Sequence, residues 1–239
     1  MNAREMLNEG LFDSVEDALG HAIIKKLPPE EQMRRIRFRY PSPAFFIESN
    51  EYMLRQAGLG NTDAFYFWMI PGLARCVAQE SFGEKPRLNT LSRMAAYLKS
   101  LYLGIHVECF YAVLLDARGA LIKTVLVGRG TVNAAPFDMG RVLSLLVEHN
   151  ARAVVLCHNH PGGTLRPSPE DIQCTLSALA ATATISVPLL DHIIIAGESA
   201  ISIRDSGYIQ PDLWVMMQGP KRKLVRDWLD VDLLDERNP

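Results

Sequence analysis

The chain has 239 residues, of which 48% are hydrophobic and 22% are charged. This length fits one large domain, or a small domain joined to one of ordinary size, and the composition excludes an intrinsically disordered chain. The formal net charge of −2 gives the protein as a whole no general attraction to nucleic acid.

The compartment is inferred from the N-terminus and the cysteines. Residues 1–14 are polar, and no apolar run is long enough to cross a bilayer, so we expect neither a signal peptide nor a contact with the membrane. The four cysteines form no CxxC pair, and three lie in apolar runs, where a free cysteine behaves as a small hydrophobic residue. We therefore expect a cytoplasmic protein without structural disulfides.

Residues 1–87 show helical periodicity and no clear alternating strands, which predicts a small helical N-terminal domain. The Gly58-Leu59-Gly60 sequence is expected to join two helices in a tight hairpin, and Pro71-Gly72 to interrupt the second helix. Residues 83–89 have the composition of a linker. The aromatic run at 65–68 is interpreted as core.

Residues 88–212 predict an α/β domain. A helix from about residue 91 is followed by two strands joined by a turn at residues 116–119 and by a helix at 136–150. The apolar run at 151–157 is typical of a buried central strand. A helix begins near Ser168, and residues 187–197 predict a further strand. Residues 213–239 are interpreted as a charged C-terminal tail.

Between the central strand and the helix, residues 157–171 have the sequence CHNHPGGTLRPSPED. Its second half predicts a helix start, with Ser168 as N-cap, Pro169 at the first helical position and Asp171 as the capping partner. Its first half places His158 and His160 two residues apart in extended backbone, so that both imidazoles project to the same side. A helix that returns to the strand end would bring Asp171 toward them. Two imidazoles and a carboxylate are a usual ligand set for a catalytic zinc ion.

The His-x-His, seven-residue spacer and Ser-x-x-Asp pattern resembles the JAMM motif of the MPN (JAB) metalloprotease fold. The fuller strings HNHPGGTLRPSPEDI and LLDHIII resemble the RadC branch of that group. The resemblance covers residues 88–210 and implies a central mixed β-sheet flanked by helices. One zinc ion per chain would be held by His158, His160 and Asp171. Gly162 stands where a serine is common, at a position that is not a ligand.

The same resemblance implies two catalytic residues, Glu108 on an earlier strand and Ser168 as a donor to the oxyanion. From the residues alone, Glu108 could equally be an edge-strand glutamate that faces solvent. If Asp171 binds metal, we expect it to lose part of its capping role. Asp191 and His192 lie inside an apolar strand and are interpreted either as partners of the metal ligands or as a satisfied buried pair.

Three functions remain open, the third being a scaffold that keeps the metal motif for folding only. The first is a zinc-dependent hydrolase of peptide or isopeptide bonds that acts on a peptide or protein substrate. The second is a DNA-associated genome-maintenance (DNA repair) protein in which the fold serves binding. The DNA hypothesis rests on basic clusters at residues 34–39 and 221–226, and on a weak likeness of the Gly-x-Gly segment to a helix-hairpin-helix. Exposed strand edges would also allow a homodimer.

Overall fold

The computed structural model of the chain describes residues 51–56, 59–105, 107–130 and 138–217. The chain divides into two compact units, residues 1–77 and 78–239. The domain boundary predicted after residue 87 stays a prediction. Both basic clusters of the DNA hypothesis lie outside the described residues.

Two helices are described in and at the end of the first unit. Helix α1 spans Glu51–Gln56 and α2 spans Asn61–Glu80, and the amide of Leu59 donates to the carbonyl of Leu54 at 3.2 Å between them. The prediction that Pro71 interrupts the second helix is wrong, since Pro71 lies inside α2. A proline removes only one backbone donor, and the helix continues on both sides of it. No helix in the described ranges is long and apolar enough to cross a membrane.

The aromatic run of α2 does not have the buried environment that we expected. Phe65 is 43%, Tyr66 47% and Trp68 50% exposed. These three side chains are apolar but exposed, so hydrophobic composition alone was a poor guide to their burial.

The second unit is built on one open sheet, whose strands are β1 Cys109–Leu115, β2 Leu121–Arg129, β3 Ala153–Asn159, β4 Leu189–Ala196 and β5 Ser199–Ser202. Their order is β2-β1-β3-β4-β5. Strands β3 and β4 are parallel, and the other neighbouring pairs are antiparallel. The predicted α/β class with a central mixed sheet is therefore confirmed.

In the described part of this unit, the helices that accompany the sheet are α3 Leu91–Leu101, α4 Met139–Glu148, α5 Pro169–Thr184 and α6 Pro211–Met217. Three of these helices begin with a polar N-cap residue. Thr90 accepts from the amide of Arg93 at the start of α3, Asp138 accepts from that of Arg141 at the start of α4, and Ser168 caps α5. Each cap satisfies a backbone donor that the helix itself leaves unpaired.

Helix α5 is the crossover between the parallel strands β3 and β4. Every residue of both strands is buried, as expected for parallel strands covered on both faces. Parallel strands present their carboxyl ends at the same edge of a sheet. The chain leaves β3 at Asn159 and enters α5 at Pro169, so the end of β3 and the first turn of α5 lie close together.

Residues 83–89 are attached to the sheet and are not a free linker. The amide of Leu88 donates to the carbonyl of Gly119 at 2.8 Å, and that of Leu121 donates to the carbonyl of Pro86 at 2.9 Å. Gly119 has a φ of +71°, and a Cβ atom there would lie 2.9 Å from that of Asn89. Glycine is thus needed for both the turn and the close approach.

The folded unit also includes α6. Trp214 of this helix is buried, and its indole N–H donates to the carbonyl of Leu189 at 3.1 Å. Residues 218–239 of the predicted charged tail lie outside the described residues.

Candidate metal centre

The structure brings His158, His160 and Asp171 together. The two Nε2 atoms of the histidines are 2.9 Å apart. Nε2 of His158 lies 3.1 Å from Oδ1 of Asp171, and Nε2 of His160 lies 3.5 Å from Oδ2. One ligand atom from each residue lies within 4.8 Å of the others, so the group could hold a metal ion. The sequence prediction that the helix start returns to the strand end explains this convergence.

The three side chains differ in their access to solvent. His158 is completely buried and the Asp171 side chain is 3% exposed, whereas that of His160 is 12% exposed. The residues after His160 in the loop, 161–164, are exposed. A small molecule or an extended chain would therefore approach the group from the side of His160.

The position of the proton on His160 follows from its neighbour. Its Nδ1 lies 2.8 Å from the carbonyl oxygen of Thr164. A carbonyl oxygen only accepts hydrogen bonds, so Nδ1 carries the proton and donates. In the neutral ring, the lone pair is then on Nε2, which is the atom that faces His158 and Asp171.

A chain of three hydrogen bonds assigns the proton of His158 in the same way. The hydroxyl of Thr175 donates to the carbonyl of Asp171 at 2.6 Å, so it must accept from Nδ1 of His192, also at 2.6 Å. Burial lowers the pKa of His192 well below its usual value, so this ring is neutral. Its Nε2 therefore accepts from Nδ1 of His158 at 2.8 Å, which leaves the lone pair of His158 on Nε2.

These assignments provide a test of whether the residues fit a metal ion. Two imidazole lone pairs and a carboxylate face one another over about 3 Å, and such an arrangement is stable only if a cation lies between them. A proton or a divalent metal would meet this requirement. The donor set of two nitrogens and one carboxylate oxygen suits zinc, with room for a fourth ligand. The residues could therefore hold a metal ion, and its identity as zinc stays a prediction.

Packing fixes the ring planes as well as the protons. The ring of Phe110 on β1 stacks on His158, with centroids 5.1 Å apart and an angle of 7° between the planes. The neighbouring Cys157 points to a different environment, where its sulfur accepts from the hydroxyl of Tyr102 at 3.3 Å. Burial raises the pKa of the Cys157 thiol to about 12, so it stays protonated and is a poor metal ligand.

Asp171 forms the capping box that the sequence predicts and also lies beside the two histidines. Ser168 donates its amide to Oδ2 of Asp171 at 2.8 Å, and its hydroxyl accepts from the amide of Asp171 at 3.1 Å, which completes the capping box. Oδ1 faces His158 at the same time. The expectation that metal ligation displaces part of the cap stays a prediction, since the capping box uses Oδ2 and leaves Oδ1 beside His158.

The charge of Asp171 is maintained by its neighbours. Burial on its own would raise the pKa of this carboxyl, but the adjacent side chains of His158, His160 and Ser168 lower it well below its usual value. The hydroxyl of Ser168 donates to Oδ2 at 2.7 Å. Its surroundings therefore favour the ionised carboxylate, the form in which a carboxyl group binds metal.

Glu108 lies in the short segment before β1 and is half-buried. The pKa of His160 is raised, in first place by its hydrogen bond to Asp171 and in smaller part by the negative charge of Glu108. The negative charge of Glu108 therefore acts on His160. Both interpretations of Glu108, a catalytic residue or an edge-strand glutamate that faces solvent, stay predictions.

Asp191 and His192, which the sequence treats as a pair, face different surroundings. His192 contacts the metal ligand His158. Oδ1 of Asp191 accepts from the backbone amides of His192 and Arg204, and burial raises the pKa of this carboxyl to about 7 against the opposing charge of Arg204. Adjacent residues of a strand point to opposite faces, so only His192 can support the centre.

Two residues of the centre were missed in the sequence analysis. Thr175 follows Asp171 by four residues, which places both on one side of α5, and this spacing was the available signal. Asn159 stands between the two histidines, and its side chain contacts the segment of Glu108. Its position between the two histidines was evident from the sequence, but its hydrogen bonds to the segment of Glu108 were not.

The hydrogen-bond chain predicts that Thr175→Val weakens zinc binding by about 10-fold, in the range usual for partners of metal-bound histidines. Valine keeps the shape of threonine but cannot accept from His192, so the proton on Nδ1 of His158 loses its fixed acceptor. The dissociation constant would be measured by competition with a zinc chelator. Thr182→Val is a matched control, since Thr182 is also fully buried in α5 and donates only to helix carbonyls. Equal affinities in both variants would contradict the assignment.

Comparison with known proteins places this centre in a family. Residues 88–208 match the model of the RadC-like JAB domain. A UPF0758 protein of Shewanella amazonensis is 33% identical over 164 residues, which cover 69% of this chain and 73% of that protein. UPF0758 proteins of Shewanella baltica and Shewanella putrefaciens are 36% identical over 155 residues, covering 65% of this chain and 69% of theirs. The chain is therefore a member of the RadC family of JAB-domain proteins.

Proposed function

We propose that the protein is a zinc-dependent hydrolase of the JAMM type that cleaves a peptide or isopeptide bond. The observation that carries the proposal is the convergence of His158, His160 and Asp171 with their lone pairs directed at one point. A second carboxylate, Glu108, acts electrostatically on this group. A metal ion held by two imidazoles and one carboxylate can activate a water molecule, and a second carboxylate nearby can take the proton of that water. This arrangement is suited to hydrolysis.

Zinc bound here would supply a Lewis acid that lowers the pKa of a water molecule and polarises a carbonyl group. His158, His160 and Asp171 would hold it, each with its proton or charge already set by a neighbour. His160 is the most exposed of the three, so the scissile bond would enter beside it. The deep position of His158 and Asp171 limits access of bulk water from the other sides.

Glu108 would act as general base and then as general acid. Its carboxylate would accept a proton from the attacking water and deliver it to the leaving nitrogen. A group with this role must stay close to the reacting atoms and keep contact with solvent, and the half-buried position of Glu108 suits both needs.

Ser168 would donate its hydroxyl to the oxyanion that forms on the carbonyl. In the structure this hydroxyl donates to Oδ2 of Asp171, so the proton would have to turn toward the substrate. The amide of Ser168 also donates to Oδ2 and would hold the carboxylate meanwhile. An oxyanion donor of this kind contributes roughly 3 kcal/mol.

The proposal is tested by metal removal and restoration. Purified protein would be incubated with a panel of peptides and of peptides joined through a lysine ε-amine, and the products identified by mass spectrometry. We expect cleavage that a chelator abolishes and one equivalent of zinc restores. Cleavage that persists in the metal-free protein would contradict the proposal. Absence of cleavage across the panel in zinc-loaded protein, together with tight DNA binding, would favour the DNA-associated function.

A further inference from the structure

We infer that Asn159, the residue between the two histidines, is a positioning residue that holds Glu108 beside the metal centre. Its Oδ1 accepts from the amide of Cys109 at 2.7 Å. Its Nδ2 donates to the carbonyl of Val107 at 3.1 Å. The side chain of Asn159 therefore binds the backbone of the residues immediately before and after Glu108. The inference rests on the proposed function, since it assigns a purpose to the position of Glu108.

The backbone of β3 does not make these two bonds. The last pair of the β1–β3 ladder is Phe110 with His158. Two residues later, the amide of His160 donates to the carbonyl of Ile195 on β4 at 2.8 Å. The pairing of β3 with β4 therefore continues past the last rung between β3 and β1, and the side chain of Asn159 replaces the next backbone rung toward β1.

The opposite side of the same segment is held by the backbone. The carbonyl of Glu108 accepts from the amide of Gly130, beyond the end of β2, at 2.9 Å. In an extended chain, the carbonyl of residue 107 and the amide of residue 109 point away from the bonding groups of residue 108 itself. The backbone at Glu108 is thus bound from both sides, which fixes the position from which its side chain extends.

The chemistry explains why this residue is an asparagine. The amide side chain offers one acceptor and donors on the same planar group, which matches an N–H and a carbonyl two residues apart. Aspartate would have no donor for the Val107 carbonyl, and alanine would have neither group. Asn159 is 5% exposed, so water does not easily replace these bonds. The end of β3 therefore carries the two proposed histidine ligands and, between them, the asparagine that holds the backbone of the proposed general base.

The test compares Asn159→Ala with Asn159→Asp in the full chain. For Asn159→Ala we expect exchange of the Cys109 amide hydrogen to accelerate at least about fivefold, while the amides of Val113 and Leu156 in the sheet keep their protection. We expect Asn159→Asp to retain the protection of Cys109, because a carboxylate still accepts. The two sheet amides report whether each variant is folded.

Two further readouts separate positioning from a general structural role. In Asn159→Ala we expect the zinc affinity to change by less than about threefold and kcat to fall by about 100-fold with KM nearly unchanged, since a small displacement of a catalytic group has that effect. Asn159→Asp should give an intermediate kcat. The inference is overturned if the Cys109 amide exchanges as in the wild type, or if zinc affinity falls as far as in a ligand variant. The exchange measurement needs no substrate, so its result stands even if the proposed hydrolase activity fails.

Discussion

Asp171→Asn is expected to remove stoichiometric zinc from the purified protein. Zinc sites with four ligands contribute about 10–16 kcal/mol, so the loss of one ligand should cost about 3 kcal/mol, or roughly 100-fold or more in affinity. Asparagine keeps an oxygen that accepts from the amide of Ser168 and so preserves the cap of α5. The change therefore removes the charge that balances the centre and leaves the helix start in place. Elemental analysis of protein purified without added metal gives the metal content directly.

Ser168→Ala is the complementary control. It removes the hydroxyl that accepts from the amide of Asp171, and the loss of such a cap costs about 1 kcal/mol of folding free energy. The carboxylate and both histidines remain, so we expect this variant to keep about one zinc per chain with a lower unfolding midpoint. If Asp171→Asn retained one zinc per chain, the ligand set would be wrong, and Ser168 with Asp171 would be only a helix cap.

The sequence was sufficient to predict the framework that carries this centre. The two alternating apolar runs around residues 116–119 became β1 and β2, the run at 151–157 became β3, and the capping pattern at 168–171 began α5. Each of these signals is local, because it depends on side-chain periodicity or on a hydrogen bond over three residues. The three proposed ligands lie at the junction of two such elements, so a local pattern was enough to bring them together.

The supporting contacts of the centre could not be predicted, since they depend on register between distant segments. His192 meets His158 only because β4 pairs in parallel with β3, 34 residues along the chain. Asn159 reaches the backbone amide of Cys109, 50 residues earlier, only because β3 pairs with β1 in this register. Strand order and register are set by the packing of the whole sheet. A polar residue in an apolar strand shows that a partner exists but does not identify it.

Glu108→Gln is expected to separate metal binding from hydrolysis. Glutamine has nearly the shape of glutamate but cannot accept a proton at neutral pH, so general base catalysis is lost. Such catalysis contributes about 100- to 10,000-fold, and we expect kcat to fall within that range. Glu108 is not among the three proposed ligands, so the zinc content should stay near one per chain. The measurements are kcat on a cleaved peptide or isopeptide and elemental analysis of the same sample.

The matched control is Glu198→Gln, which removes the same charge from an exposed position in the turn between β4 and β5. Its activity should equal that of the wild type, which excludes a general effect of net charge. Full activity in Glu108→Gln would remove Glu108 from the reaction, and the purpose that we assign to Asn159 would be lost with it. Loss of both zinc and activity would instead make Glu108 a fourth ligand. Retained zinc with lost turnover is the only outcome that requires a carboxylate acting beside the metal, because neither folding nor ligation then differs from the wild type.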